Sequence, residues 1–169
     1  MSRERIVETA KSVLRGELGL VTEPGYCLQA ARVIVEKAMS VPPRTLYNLA
    51  RPYLHRKPGE NIRLHWARGM ERALRALGVG THFPKPGDLL FSWKVSRPYG
   101  HVAVMVDEGF VLENTTANRG WRTPWSGAIR LTPLQRNGEW IWDPVTFVAD
   151  GARLGVLLVQ EAARRKRRV

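Results

Sequence analysis

The sequence predicts an α+β protein in which N-terminal helices pack on an antiparallel β-sheet. Three observations carry this reading. Apolar residues recur at helical spacing through the first half of the chain, from Ile6 to Leu77. Short apolar runs bounded by Gly, Pro and Asp fill the stretch from Pro86 to Val148. No repeat or linker divides the 169 residues, a length suited to one hydrophobic core. Helices first and a meandering sheet afterwards is the order of segregated layers. One domain is expected over residues 1–160, with 161–169 as a frayed basic tail.

Residues 3 to 16 carry Ile6, Val7, Ala10, Val13 and Leu14 on one face, an amphipathic opening helix. The stretch from Gly16 to Gly25 breaks it, with Thr22-Glu23-Pro24-Gly25 as a turn. A second helix is expected from about Tyr26 to Met39, with Cys27, Ala30, Ala31, Ile34 and Ala38 as its stripe, and Val41-Pro42-Pro43 ends it. A short helix is expected around Leu46 to Tyr53. Asn61 reads as the N-cap of a third long helix. Trp66, Met70, Ala73, Leu74 and Leu77 form its apolar face, Arg63, Arg68, Arg72 and Arg75 its basic one, and Gly78 and Gly80 stop it. The β half begins with Leu89-Leu90-Phe91. A hairpin follows, from His101 through Val106, turning at Asp107-Glu108-Gly109, and returning from Phe110 to Thr115. Ala128 to Leu131 and Trp140 to Val148, interrupted at Pro144, read as further strands. Gly155 to Gln160 reads as a last strand or a helix start.

The formal net charge is +12, from 27 Lys and Arg against 15 Asp and Glu, which favours polyanionic partners. Cys27 is the sole cysteine, so an internal disulfide and a cysteine-only zinc site are excluded, and the four histidines (55, 65, 82 and 101) show no metal spacing. The start is charged and amphipathic rather than signal-like, and no apolar run approaches a membrane span. Synthesis in the cytoplasm is therefore expected.

Two places carry chemistry. Cys27 falls in the first turn of its helix, where free N–H groups and the helix dipole favour a thiolate and an oxyanion. The small Ala30 and Ala31 allow that helix to approach a sheet closely. His101 opens one hairpin strand, while Glu113 and Asn114 close its partner, so the fold-back makes them neighbours. Cys27 then reads as the nucleophile, His101 as general base and later acid, and a third polar group as the orienter of the ring. Glu113 and Asn114 are the two candidates for that third place. Strand alternation forbids both from pointing the same way, and the residues by themselves leave the choice open.

A Cys at a helix start, then Pro86-Gly87-Asp88-Leu89-Leu90-Phe91, then Gly100-His101-Val102-Ala103-Val104 resembles the NlpC/P60 and CHAP cysteine peptidases. The resemblance spans roughly residues 20 to 160. It implies a papain-like fold and hydrolysis of amide bonds in bacterial peptidoglycan, as endopeptidase or amidase, with no cofactor and no metal. It also implies that Asp88 forms a turn rather than acting in catalysis, and that Glu113, twelve residues after His101, is narrowly preferred to Asn114 as the third residue. The chain differs in having Tyr26-Cys27-Leu28-Gln29 where NlpC/P60 members usually carry Asp-Cys-Ser-Gly, and in a long basic segment between Cys27 and Gly80. A lysin of phage or prophage origin, acting on the wall after release or as a virion component, is the expected setting, and a monomer the expected state. Tyr26, Trp93, Tyr99, Trp121 and Trp125 flank the catalytic positions as candidate substrate-groove residues. The arginine face of the third helix and the basic tail are candidate contacts for a wall polymer or nucleic acid. Two other readings remain open at this point: a catalytically silent basic binding protein on the same fold, and a cysteine protease acting on protein or isopeptide bonds in the cytoplasm.

Overall fold

A computed structural model describes residues 1–18, 26–117, 119–124, 126–140 and 142–169. The Thr22–Gly25 turn and Trp125 lie outside the described residues. Helix α1 spans Ser2–Leu14 and buries Ile6, Ala10, Val13 and Leu14 of the predicted stripe, while Val7 is half-buried at its edge. Helix α2, Cys27–Ala38, buries Leu28, Ala30, Ala31, Ile34, Val35 and Ala38. It also buries a pair of charges, Arg32 and Glu36, which are bonded to each other. Glu36 accepts further hydrogen bonds from the backbone N–H of Leu46 (2.9 Å) and Arg44 (3.1 Å). A buried carboxylate needs such partners, and here they join α2 to helix α3, Thr45–Ala50, which runs on into a 3₁₀ turn at Arg51–Tyr53.

The next helix, α4, spans Ala67–Leu77 and does not start at Asn61; Trp66 holds its N-cap position. The reason is local competition. A helix beginning at Asn61 needs the Ile62 carbonyl for the Trp66 N–H. That carbonyl instead accepts from the Arg56 guanidinium at 2.7 Å, and the Trp66 N–H turns to Arg63 three residues back. Met70, Ala73 and Leu74 are buried as expected, and Gly78, at φ +83°, ends the helix.

Strands β1 (Leu89–Ser92), β2 (His101–Asp107), β3 (Phe110–Asn114), β4 (Ile129–Pro133) and β7 (Phe147–Ala149) form one antiparallel sheet in the order β4-β3-β2-β1-β7. A separate small hairpin pairs β5 (Gln135–Arg136) with β6 (Glu139–Trp140), so the stretch expected from Trp140 to Val148 carries strand at its two ends, in β6 and β7, on either side of Pro144. One sheet face sends Leu89, Phe91, Val102, Val104, Leu112 and Ile129 into a core shared with the helices. The other sends Leu90, Ala103, Met105 and Val111 against Leu134 and Trp142. Burial on both faces is why residues 102–106 read as an unbroken apolar run.

Of the strand or helix start expected at Gly155 to Gln160, the last element is the helix, and it runs on into the expected tail. Gly151–Lys166 is one helix, α5, packed on α1 and α3. Asp150 caps it by accepting from the N–H groups of Ala152 and Arg153. The residues read as a frayed tail from 161 therefore continue the helix through Lys166, because Glu161 is buried and bonded to Arg164 and Arg165. Asp88 is wholly buried and structural: it accepts from Arg3 Nε (2.9 Å), Lys85 N (2.9 Å) and Gly151 N (2.8 Å), tying α1 and α5 to the start of β1. The architecture is α+β, with the helices on one side of an antiparallel sheet.

Candidate active site

His101 stands where α4 meets the sheet. The Arg68 N–H, left without a helical acceptor in the first turn of α4, bonds the Tyr99 carbonyl at 2.8 Å. Gly100 follows at φ +75°, and a Cβ there would lie 3.0 Å from the Arg68 nitrogen. Only glycine fits that close approach without strain, and it delivers the next residue, His101, to the first position of β2.

The β2–β3 register pairs Ala103 with Glu113. His101, two residues before Ala103, therefore shares a sheet face with Glu113 on the diagonal. Glu113 Oε1 lies 3.8 Å from His101 Nε2, an ion-pair separation longer than a hydrogen bond. Nε2 has no hydrogen-bond partner among the described residues. Three other groups hold Glu113. Arg119 Nε donates to Oε1 (2.9 Å) and Arg119 Nη2 to Oε2 (3.2 Å), while the Trp142 indole N–H also donates to Oε2. Arg119 is anchored in turn by both oxygens of Asp143, at 3.0 and 2.8 Å. The Trp142 ring lies beside the His101 ring, with centroids 5.9 Å apart.

Cys27 is the first residue of α2, half-buried, after Tyr26 at the N-cap. It shares a cavity of about 170 Å³ with Ser96, Tyr99, Gly100, His101, Asn114, Thr115 and Thr116. Burial by itself would lower the His101 pKa. Cys27 and Glu113 outweigh it, and the ring is raised to about 9, an imidazolium at neutral pH. Burial likewise pushes Glu113 up, but His101, Trp142 and Arg119 together hold it below the usual carboxylate range. A charged ring beside a thiol at a helix N-terminus is chemically equipped for nucleophilic attack and proton delivery.

Of the residues expected from the sequence, Cys27, His101 and Glu113 come together. Asn114 lines the cavity wall from the opposite face of β3, so it stands by the thiol side rather than behind the ring. Tyr99 lines the cavity and Tyr26 flanks Cys27. Trp93 and Trp121 are not among the lining residues. Trp93 instead packs under the guanidinium groups of Arg68 and Arg97. Trp121 is bonded through its backbone to Leu131 of β4. The arginines expected on one helix face have internal partners: Arg63, which precedes α4, over Trp66, Arg68 over Trp93, Arg72 on Glu60, and Arg75 on the Thr146 carbonyl and over Phe147. Arg119, Trp142 and Asp143 were not legible in advance. They come from irregular segments with no periodicity, and no spacing signals that they converge.

No family model, curated protein or solved structure matches the chain. Among the described residues no helix is long and apolar enough to cross a membrane.

Proposed function

We propose that the chain is a papain-like cysteine hydrolase of the NlpC/P60–CHAP kind, cleaving amide bonds in bacterial peptidoglycan. The observation that carries the reading is that Cys27, at the first turn of α2, and His101, at the start of β2, open into one cavity, with Glu113 behind the ring. A helix bearing the thiol, packed on an antiparallel sheet bearing the base, is the layout the proposed fold requires.

In this reading the Cys27 thiolate attacks the amide carbonyl carbon and a C–S bond forms. The first-turn N–H groups of α2 face the developing oxyanion. Nε2 of His101 faces Glu113, so Nδ1 is the nitrogen on the thiol side, and it passes its proton to the amide nitrogen as the C–N bond breaks. The amine leaves. Neutral His101 then takes a proton from water, whose oxygen attacks the thioester; the C–S bond breaks and the thiolate returns with the acid product. Glu113 orients the ring and balances its charge in both halves. The cavity is small beside ordinary ligand pockets of about 300–1,000 Å³ and walled by Ser96, Asn114, Thr115 and Thr116. That suits an acyl residue with a short side chain, as in stem peptides and their cross-bridges. A lysin of phage or prophage origin is the biological setting proposed.

The test is digestion of purified peptidoglycan followed by detection of new amino and carboxyl ends. Wild type is expected to release them and Cys27→Ala to release none. Equal release by both proteins, or none by wild type across walls of different cross-bridge chemistry, overturns the proposal.

A further inference from the structure

Arg119 and Asp143 serve neither the core nor the solvent in any ordinary way. Glu113 is 1% exposed and already has the Trp142 indole and the imidazole ring to answer. It nevertheless receives a two-pronged guanidinium, and that guanidinium is held on its other edge by a second two-pronged contact to Asp143. Fork-to-carboxylate pairs of this kind fix direction as well as charge. They select which oxygen of Glu113 faces Nε2 and how far it stands from it.

We propose that Arg119 and Asp143 are positioning residues of this site, extending Cys27–His101–Glu113 into a line of alternating charge that ends at the loop surface. The inference rests on the hydrolase reading for its functional meaning, but its geometry is independent of substrate. Along the line His101 is positive, Glu113 negative, Arg119 positive and Asp143 negative. Arg119 draws on the Glu113 charge that would otherwise act on the ring, and Asp143 relieves Arg119 of part of that task. The titratable groups acting on His101 are Cys27 from α2 and Glu113 from β3, with the uncharged Trp142 ring beside it. Arg119 and Asp143 act through Glu113.

The alternation makes a prediction that a merely structural role does not. Arg119→Gln removes a cation and is expected to move the His101 titration up; Asp143→Asn removes an anion and is expected to move it down, each by roughly half a pH unit or more. Arg119→Lys keeps the charge without the fork. It is expected to leave the titration near that of wild type, while turnover falls about tenfold through lost orientation. Titration is read from the ring resonances of labelled histidine, with His101→Gln identifying the signal. The rate of alkylation of Cys27, the sole thiol, against pH gives a second reading. Shifts in the same direction for the Gln and Asn variants, or no shift in either, overturn the proposal. If Arg119→Gln does not fold, Asp143→Asn decides alone, since Asp143 lies nearer the surface than Glu113, and an unmoved titration there is the overturning result. The hydrolase reading fails separately: in that case Cys27 alkylation in wild type and in His101→Gln follows the same pH curve.

Discussion

At the scale of single residues, Glu113 and Asn114 divide the work that the sequence leaves open between them. Glu113 faces the ring and Asn114 faces the cavity. Glu113→Gln keeps the shape but removes the charge; kcat is expected to fall about 10²-fold or more, the range of a lost acid–base partner. Asn114→Ala is expected to act mainly on KM. Steady-state kinetics of the two variants checks this, and the reverse split would exchange their roles. His101 also sets a pH dependence of stability. Its folded pKa of about 9 lies above the ordinary 6.5, so folding favours the protonated ring. That stabilisation is complete below about pH 6.5 and is lost as pH rises through about 9. The lowered pKa of Glu113 works at the other end: its contribution is present above the ordinary carboxylate value of 4.5 and is lost as pH falls through the lowered one. Thermal unfolding of wild type is expected to show Tm declining between pH 6.5 and 9.5, and His101→Gln is expected to flatten that limb. The thiol, the ring and the two candidates for the third place were all legible in the sequence, because hairpin geometry brings a strand's start beside its partner's end. The clamp of Arg119, Trp142 and Asp143 was not, because its members meet only through irregular segments.

Between elements, most of the positioning comes from polar joints rather than from apolar stripes. The stripes of α1 and α2 say that helices exist and which face is buried; they do not say how two helices are held. Glu36 does that for α2 and α3, receiving two backbone N–H groups and Arg32 in a buried setting. Removing one partner of a buried charge pair costs about 3–5 kcal/mol because the other charge is left unanswered. Glu36→Ala is expected to lower the unfolding free energy by that order in urea titration. Gly100 is the equivalent joint for the site. A methyl group there meets the Arg68 nitrogen at 3.0 Å in a left-handed backbone, so Gly100→Ala is expected to cost about 1–3 kcal/mol. It should also reduce hydrolysis by more than that loss explains, since His101 is the next residue. The misplaced start of α4 follows the same logic: Arg56 captures a carbonyl that propensity alone assigns to the helix.

Across the whole molecule, the ends of the chain close around the start of the sheet. Arg3 of α1 bonds Asp88 and Asp150, and Asp88 bonds the first N–H of α5. Gly87, at φ +97°, lets Arg3 approach to where a Cβ would lie 2.6 Å from its Cα. The Pro86-Gly87-Asp88 stretch thus earns its residues by structure. Truncation after Lys166 is expected to leave Tm unchanged, whereas truncation at residue 160 removes the buried Glu161 and Ala162 and is expected to lower it. Differential scanning calorimetry of the two truncations distinguishes a helix that ends at Lys166 from a tail that begins at 161.

The sequence by itself determined the α+β class, the helical stripes, the hairpin that brings His101 near Glu113 and Asn114, and the placing of Cys27 at a helix start. Each of these is periodic or local: side chains repeat at 3.6 or 2 residues, and a short turn fixes what lies across it. Only the tertiary structure decided that Cys27 and His101 share a cavity and that Glu113 rather than Asn114 stands behind the ring. It alone brought Arg119 and Asp143 in to hold that carboxylate, and drew the C-terminal residues into a helix. These depend on strand register and on polar groups from distant segments competing for the same buried partners, and neither leaves a period in the sequence.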